Sequence, residues 1–289
     1  MKRIAESELI LNADGSVFHL HIKPDHLADK IILVGDPARV ANVAKYFDRV
    51  EHNASNREFH TTTGIYKNKR ITVLSTGIGC DNIDIVMNEL DALKNIDLQN
   101  RTENPAHKSL DIVRIGTCGG IQPENPTGTF IISRKSIGFD GLLHFYAGYA
   151  QIADKEFEKE FNRQMQWDNT ICRPYVVSAD NELCNRINKG EMVDGVTIAC
   201  AGFYGPQGRV LRLPLSDPDQ NQKIQRFRYK NWRITNFEME SSALAGLASL
   251  LGHKATTCCM VVANRNAKKA DTNYKDKLDI LIHIVLERI

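Results

Sequence analysis

Three short apolar runs in this chain end on glycine turns whose polar residues are of types that hold anions. Ile31–Val34 runs into Gly35-Asp36-Pro37-Ala38-Arg39, Ile71–Leu74 into Ser75-Thr76-Gly77-Ile78-Gly79, and Ile112–Ile115 into Gly116-Thr117-Cys118-Gly119-Gly120. A glycine at a helix start lets main-chain N–H groups approach an anion, and Arg39 can add charge to the first turn. The plainer alternative there is an N-cap turn with a solvated arginine. Arg114 lies inside the third run, where a buried cation needs an anionic partner because an unpaired buried charge is costly. Thr117 offers a hydroxyl and an N–H to the same anion, and a structural carboxylate is the other candidate partner for Arg114. Together Gly35, Arg39, Arg114 and Thr117 suggest a bound phosphate. Neither G-x-x-x-x-G-K-[ST] nor G-x-G-x-x-G occurs, so ATP and NAD sites lose support.

Two further segments suit a sugar and a planar base. In Glu238-Met239-Glu240 a carboxylate can accept hydrogen bonds from vicinal hydroxyls, with Met239 as an apolar floor; acids that merely favour the first turn of a helix are the alternative. In Phe203-Tyr204-Gly205-Pro206-Gln207-Gly208-Arg209, the Gln207 amide offers a donor and an acceptor to a base edge. Arg209 can face a ring carbonyl and Phe203 can pack on the ring. A simple Gly-Pro turn would explain the same letters.

These residues need a scaffold, and the pattern around them supplies one. Strands are expected at the three runs above and at 129–133, 195–200 and 256–263; helices at 37–47, 82–95, 154–166, 179–189, 237–252 and 274–288. Asp36-Pro37 reads as an N-cap with proline at the first helical position, and Asn236 as the cap of helix 237–252. Alternating strands and helices predict an α/β fold, a single domain over residues 1–289 with a central mixed β-sheet flanked by α-helices. The polar stretches Asn100–Ser109 and Leu215–Gln222 are expected to be loops.

Bulk composition removes several classes. Thirty-seven Lys and Arg against 35 Asp and Glu give no field for a nucleic-acid or membrane partner. No apolar window is long enough to span a bilayer, and the acidic Glu6 and Glu8 interrupt any signal-like start. Seven cysteines without a C-x-x-C pair predict reduced thiols and a cytoplasmic protein, with neither a disulfide framework nor a metal site.

In this order the pieces resemble the nucleoside phosphorylase family, which holds uridine-cleaving and hexameric purine-cleaving enzymes. The likeness is carried by F-H-L at 18–20, G-D-P-x-R at 35–39, N-R-E-F at 56–59, S-T-G-I-G at 75–79, R-I-G-T-C-G-G-I at 114–121, F-Y-G-P-Q-G-R at 203–209, F-E-M-E-S at 237–241 and N-R at 264–265. The resemblance implies phosphate contacts from Gly35, Arg39, Arg114 and Thr117, with Arg57 reaching phosphate from a neighbouring subunit. It implies ribose contacts from His19 (again a neighbour's), Glu238, Met239 and Glu240, and base contacts from Phe203, Gln207 and Arg209. The catalytic burden would fall on Arg114, Glu240, Arg209 and Gln207.

The F-Y-x-x-Q-x-R segment has the form of the uridine-cleaving branch. Purine-specific members keep an aspartate after the last core strand. Here that stretch is Val261-Val262-Ala263-Asn264-Arg265, and the first aspartate is Asp271. The expected reaction is phosphorolysis of uridine to uracil and ribose 1-phosphate, in a homodimer at least or a hexamer, with phosphate as co-substrate and no cofactor. A purine phosphorylase, a nucleosidase that uses water, or a non-catalytic nucleoside-binding protein on the same fold are the rivals. Some members hold an inter-subunit potassium ion through a glutamate and a serine. Glu58 matches the glutamate, but Asn82 stands in the serine's place, which counts against that ion.

Overall fold

In the computed structural model, residues 2–168, 170–265, 269–270 and 274–289 are described. The first strands are β1 (Lys30–Val34), β2 (Arg49–Asn56), β3 (Phe59–Tyr66), β4 (Lys69–Ser75), the short β5 (Ile96–Asp97) and β6 (Thr102–Glu103), and β7 (Asp111–Gly120). Then follow β8 (Phe130–Gly138), β9 (Tyr175–Ser178), β10 (Val193–Ala199), β11 (Ile234–Glu238), β12 (Lys254–Asn264) and β13 (Lys269–Ala270). The helices are α1 (Ala38–Ala44), α2 (Cys80–Asn95), α3 (Tyr149–Ile152), α4 (Lys155–Met165), α5 (Asn181–Ile187), α6 (Gln220–Arg226), α7 (Ser241–Leu251) and α8 (Lys275–Arg288).

All strands but β5 and β6 join one mixed sheet, in the order β13-β12-β8-β10-β11-β7-β1-β4-β3-β2, with β9 beside β8. β7 also pairs with β12, so β12, β8, β10, β11 and β7 close into a ring. The central strands are apolar almost throughout because helices cover both faces. Ile83, Val86 and Leu90 of α2 pack with Ala243, Leu244 and Leu247 of α7 on one face. Val40 and Val43 of α1, Leu183 of α5 and Leu281 of α8 pack on the other. A third cluster joins Phe157 and Phe161 of α4 to Phe227 and Phe237.

Register brings the three glycine segments together. β1 runs parallel to both β4 and β7, and Val34 is level with Ser75 on one side and Ile115 on the other. Gly35 and Thr76 therefore leave the sheet side by side, level with Gly116; the third expected turn is instead strand, since β7 continues through Gly116–Gly120 and pairs there with β12 and β11. Carboxyl ends of parallel strands are where ligands bind in such sheets.

The expected α/β architecture is observed, with local corrections. Residues 237 and 238 end β11 (Ile234–Glu238) rather than opening a helix, and α7 begins at Ser241. Asn236 is thus no N-cap: it is fully buried, and its Oδ1 accepts from the hydroxyls of Thr197 and Thr235. The Asp36 reading holds in substance, its Oδ1 accepting from the Ala38 N–H at 2.9 Å. The 100–109 stretch contains β6, and α6 begins inside the 215–222 stretch. Asp271 lies outside the described residues. Among the described residues no helix is long and apolar enough to cross a membrane.

Candidate active site

A cavity of about 800 Å³ opens over the shared strand ends. Its wall holds Gly35, Arg39, Arg114, Thr117, Phe203, Gln207, Arg209, Glu238, Met239 and Glu240, which come from four separate stretches of chain. Two expected residues are absent from that wall, His19 and Arg57. Arg57 is exposed at the β2–β3 turn with its guanidinium 6.0 Å from the Phe18 ring, and His19 is its near neighbour in that patch.

At one end, Arg114 is buried and its guanidinium folds back over its own strand. That path requires Gly116, where a Cβ would come within 2.4 Å of Arg114 Nη1. Arg114 Nη2 lies 2.5 Å from Glu240 Oε2, and Nη1 lies 3.7 Å from Glu238 Oε2. Burial works against its charge, but the Glu240 and Glu238 carboxylates outweigh that and hold the pKa above the ordinary value. The structural-carboxylate reading of Arg114 is therefore present in the empty site. It does not exhaust the side chain, since buried Nε and Nη1 have no hydrogen-bond partner among the described residues. Arg39 nearby is half-buried and forms no ion pair among the described residues; burial, despite Tyr274, lowers its pKa. Unspent buried donors and an uncompensated cation beside Thr117 make this end fit for an anion.

The two glutamates differ in role. Glu238 accepts from the main-chain N–H groups of Glu240 and Ser241 and from the Ser241 hydroxyl at 2.7–3.0 Å, so it brackets the turn from β11 into α7. Burial, and then Glu240 beside it, push its pKa up against the pull of Arg114 and Ser241. Glu240 is held by the Gly79 N–H at 2.8 Å and by Arg114, which aims its carboxylate across the cavity floor beside Met239. Gly79 sits at φ +105°, a conformation that favours glycine.

At the other end Gln207 is 2% exposed. Its Oε1 accepts from Arg209 Nη1 at 2.6 Å and from Arg265 Nη2 at 3.4 Å, and its amide NH2 donates to no described residue. Arg209 also donates to the Phe203 carbonyl and stacks 3.5 Å from the Phe203 ring centroid. Burial and the neighbouring Arg265 lower its pKa to about 10, and burial lowers that of Arg265. Neither arginine has a carboxylate partner among the described residues. Arg265 was visible only as half of an N-R pair; it becomes informative once β12 carries it behind Gln207. Val262, Ala263 and Phe237 complete the apolar wall. Asn264 Nδ2 donates to the Gln122 and Asn125 carbonyls, so its amide is committed to the loop below.

Glu58 and Asn82 also line the cavity, and Asn82 Nδ2 donates to Glu58 Oε1 at 3.2 Å. Asn82 thus puts a donor on the carboxylate that a cation would need. Away from the cavity, Asp91, His107 and His253 converge. Nδ1 of His253 accepts from the Leu110 N–H at 3.2 Å, and Nε2 lies 3.2 Å from Asp91 Oδ1. That tautomer turns a proton, not a lone pair, into the cluster.

The Phosphorylase superfamily model matches residues 29–284, and the chain belongs to that superfamily. It is 29% identical over 273 residues to a uridine phosphorylase of Thermococcus kodakarensis, covering 92% of this chain and 83% of that one. A uridine phosphorylase of Haemophilus influenzae is 30% identical over 260 residues, 88% of each chain. A DeoD-type purine nucleoside phosphorylase of Bacillus velezensis is 23% identical, over 92% of this chain and 98% of that one. A solved structure of a Trypanosoma brucei nucleoside phosphorylase, which shows uridine phosphorylase activity, superposes with a TM-score of 0.89 at 29% identity, covering 97% of this chain and 98% of that one. The reaction is that of a nucleoside phosphorylase, a pentosyltransferase acting on a nucleoside and phosphate.

Proposed function

We propose that this enzyme is a uridine phosphorylase, a single catalytic domain that works in the cytoplasm as a homodimer at least. One observation carries the choice of base: two arginines without carboxylate partners among the described residues, Arg209 and Arg265, converge on the buried amide of Gln207. A pyrimidine base offers two ring carbonyls to such donors. It also departs with negative charge, which a positive, preorganised pocket stabilises by the logic of an oxyanion hole. A purine leaving through its imidazole ring would want a proton donor instead. The amide of Asn264, occupied by two main-chain carbonyls, offers none.

The rest of the cavity fits the remaining steps. Arg39, Arg114, Thr117 and the Gly35 turn would hold phosphate beneath the anomeric carbon, contributing proximity and orientation. Arg57 of the partner subunit would close that site. Glu240 would accept from the 2′- and 3′-hydroxyls and set negative charge near the cationic, oxocarbenium-like sugar, with Met239 beneath it. Glu238 would act mainly by fixing the turn that presents Glu240. As phosphate attacks, the C–N bond breaks and its electron pair leaves with uracil, whose charge falls on Arg209, Arg265 and Gln207. Base release from uridine, deoxyuridine, thymidine and inosine, with and without phosphate, tests this. Uridine should give uracil and ribose 1-phosphate only with phosphate; faster turnover of inosine, or equal rates without phosphate, refutes the assignment.

A further inference from the structure

His19 stands apart from the cavity wall of its own chain, yet both its main chain and its ring are held in place. One carboxylate does the holding. Glu89, on α2, accepts from the main-chain N–H of His19 at 2.9 Å, from that of Leu20 at 2.8 Å, and faces His19 Nδ1 at 2.7 Å. Its own side chain is largely buried, and the imidazole is a quarter exposed. Asn56 Nδ2 grips the same segment from the other side, donating to the His19 carbonyl at 2.9 Å.

These distances settle the tautomer. An ionised carboxylate only accepts, so the proton belongs on Nδ1. Nε2, at the far end of the ring, makes no hydrogen bond to any described residue. The ring is also fixed in direction by T-shaped contacts with Phe18 and Phe59, at centroid distances of 4.9 and 6.2 Å. The main-chain bonds alone would order the segment. The Nδ1 contact adds only ring orientation and proton placement, which is what a residue meant to reach a ligand requires.

We propose that Glu89 is a positioning residue for sugar recognition: it holds His19 so that Nε2 is presented to the 5′-hydroxyl of the nucleoside bound in the neighbouring subunit. This rests on the reading of the protein as a uridine phosphorylase with shared sites. Glu89 never touches substrate; it acts through His19.

The test compares uridine with 5′-deoxyuridine, which lacks only the hydroxyl in question. Wild type should prefer uridine in kcat/KM by about tenfold, the size of one good hydrogen bond. Glu89→Ala should erase most of that preference, with little further loss in a Glu89→Ala/His19→Ala double variant. Glu89→Gln guards against misfolding, since its Oε1 can still accept from the main-chain N–H groups while its NH2 now faces Nδ1. It should melt near the wild-type temperature, lose much of the preference for uridine, and cleave 5′-deoxyuridine at the wild-type kcat/KM. Equal losses on both nucleosides would show a merely structural role and overturn the proposal. So would an unchanged preference in a folded Glu89→Gln enzyme. Wild type without a preference would instead overturn the assignment of His19 to the sugar, and the proposal with it. If wild type cleaves inosine but not uridine, the base assignment alone fails, and inosine against 5′-deoxyinosine carries the same comparison.

Discussion

Replacing Arg209 by leucine isolates the step in which the base leaves. The guanidinium makes two kinds of contact, a 2.6 Å hydrogen bond to Gln207 Oε1 and a stack 3.5 Å from the Phe203 ring centroid. Leucine keeps apolar packing against Phe203 and removes the donors and the charge. With its pKa lowered to about 10 by burial and Arg265, Arg209 remains protonated at neutral pH, so its full charge is lost. Removing one preorganised donor from developing negative charge costs about 3 kcal/mol, or roughly 100-fold in rate. The Gln207 amide, which Arg209 helps to orient, adds to that loss. Because this contact strengthens as charge develops on the base, kcat and kcat/KM for uridine should fall together. The KM for phosphate should hold, since Arg39 and Arg114 serve the opposite end of the cavity. Steady-state uracil release at saturating phosphate measures the loss. A second nucleoside gives the internal control: 5-fluorouracil is the better leaving group and needs less stabilisation, so 5-fluorouridine should lose less than uridine. Near-normal turnover by a folded variant, or equal losses on both nucleosides, would refute leaving-group stabilisation by Arg209.

Arg39→Ala should raise the KM for phosphate by about 10- to 100-fold, the worth of a charge-assisted contact, with little change in the KM for uridine; initial rates across a phosphate series check this. Glu238 has its pKa raised from 4.5 to about 7, so the folded state keeps a proton that the unfolded state releases. Its contribution to stability is therefore full below pH 4.5 and lost as pH rises towards about 7. Urea midpoints for wild type should show that fall, and Glu238→Gln should flatten it; parallel curves would remove Glu238 as the cause. Arg57→Ala and Glu240→Ala should each be nearly inactive alone, yet their co-expressed mixture should recover roughly a quarter of wild-type activity, because each heterodimer has one intact site. No recovery in a mixture shown by mass spectrometry to contain heterodimers would mean that Arg57 serves its own subunit or does not act in catalysis.

The parts of the fold legible in the sequence are those where one element's pattern suffices. Apolar β-branched runs ending on glycine marked β1, β4 and β7, and the helical periods of α2, α4 and α8 were equally plain. The β2–β3 hairpin is not legible in the sequence, because Arg49–Asn56 is an outer strand with half-exposed, polar residues and so shows no apolar alternation. The end of β11, Phe237 and Glu238, reads as the start of helix 237–252 because all five residues of the strand are buried, and a short strand buried on both faces has no period of two. The same limit hides Arg265 and the Glu58–Asn82 pair, whose meaning depends on what lies beside them rather than on neighbours in sequence.

Arg114 shows most clearly what sheet register adds. In the sequence it could belong to a bound anion or to a structural carboxylate, and nothing local decides between them. The parallel pairing of β7 with β1 sets Arg114 beside Leu33, two residues before Gly35. The antiparallel contact of the end of β7 with β11 brings Glu238 and Glu240 across to it. The two readings then cease to compete. Nη2 is committed to Glu240, while Nη1, 3.7 Å from Glu238, and Nε are buried and make no hydrogen bond among the described residues. A single guanidinium, held by the carboxylate proposed to grip the sugar, thus has donors left for the group that attacks it. That coupling makes Glu240 and Arg114 one unit, and it explains why an arginine can sit inside a central strand of the sheet.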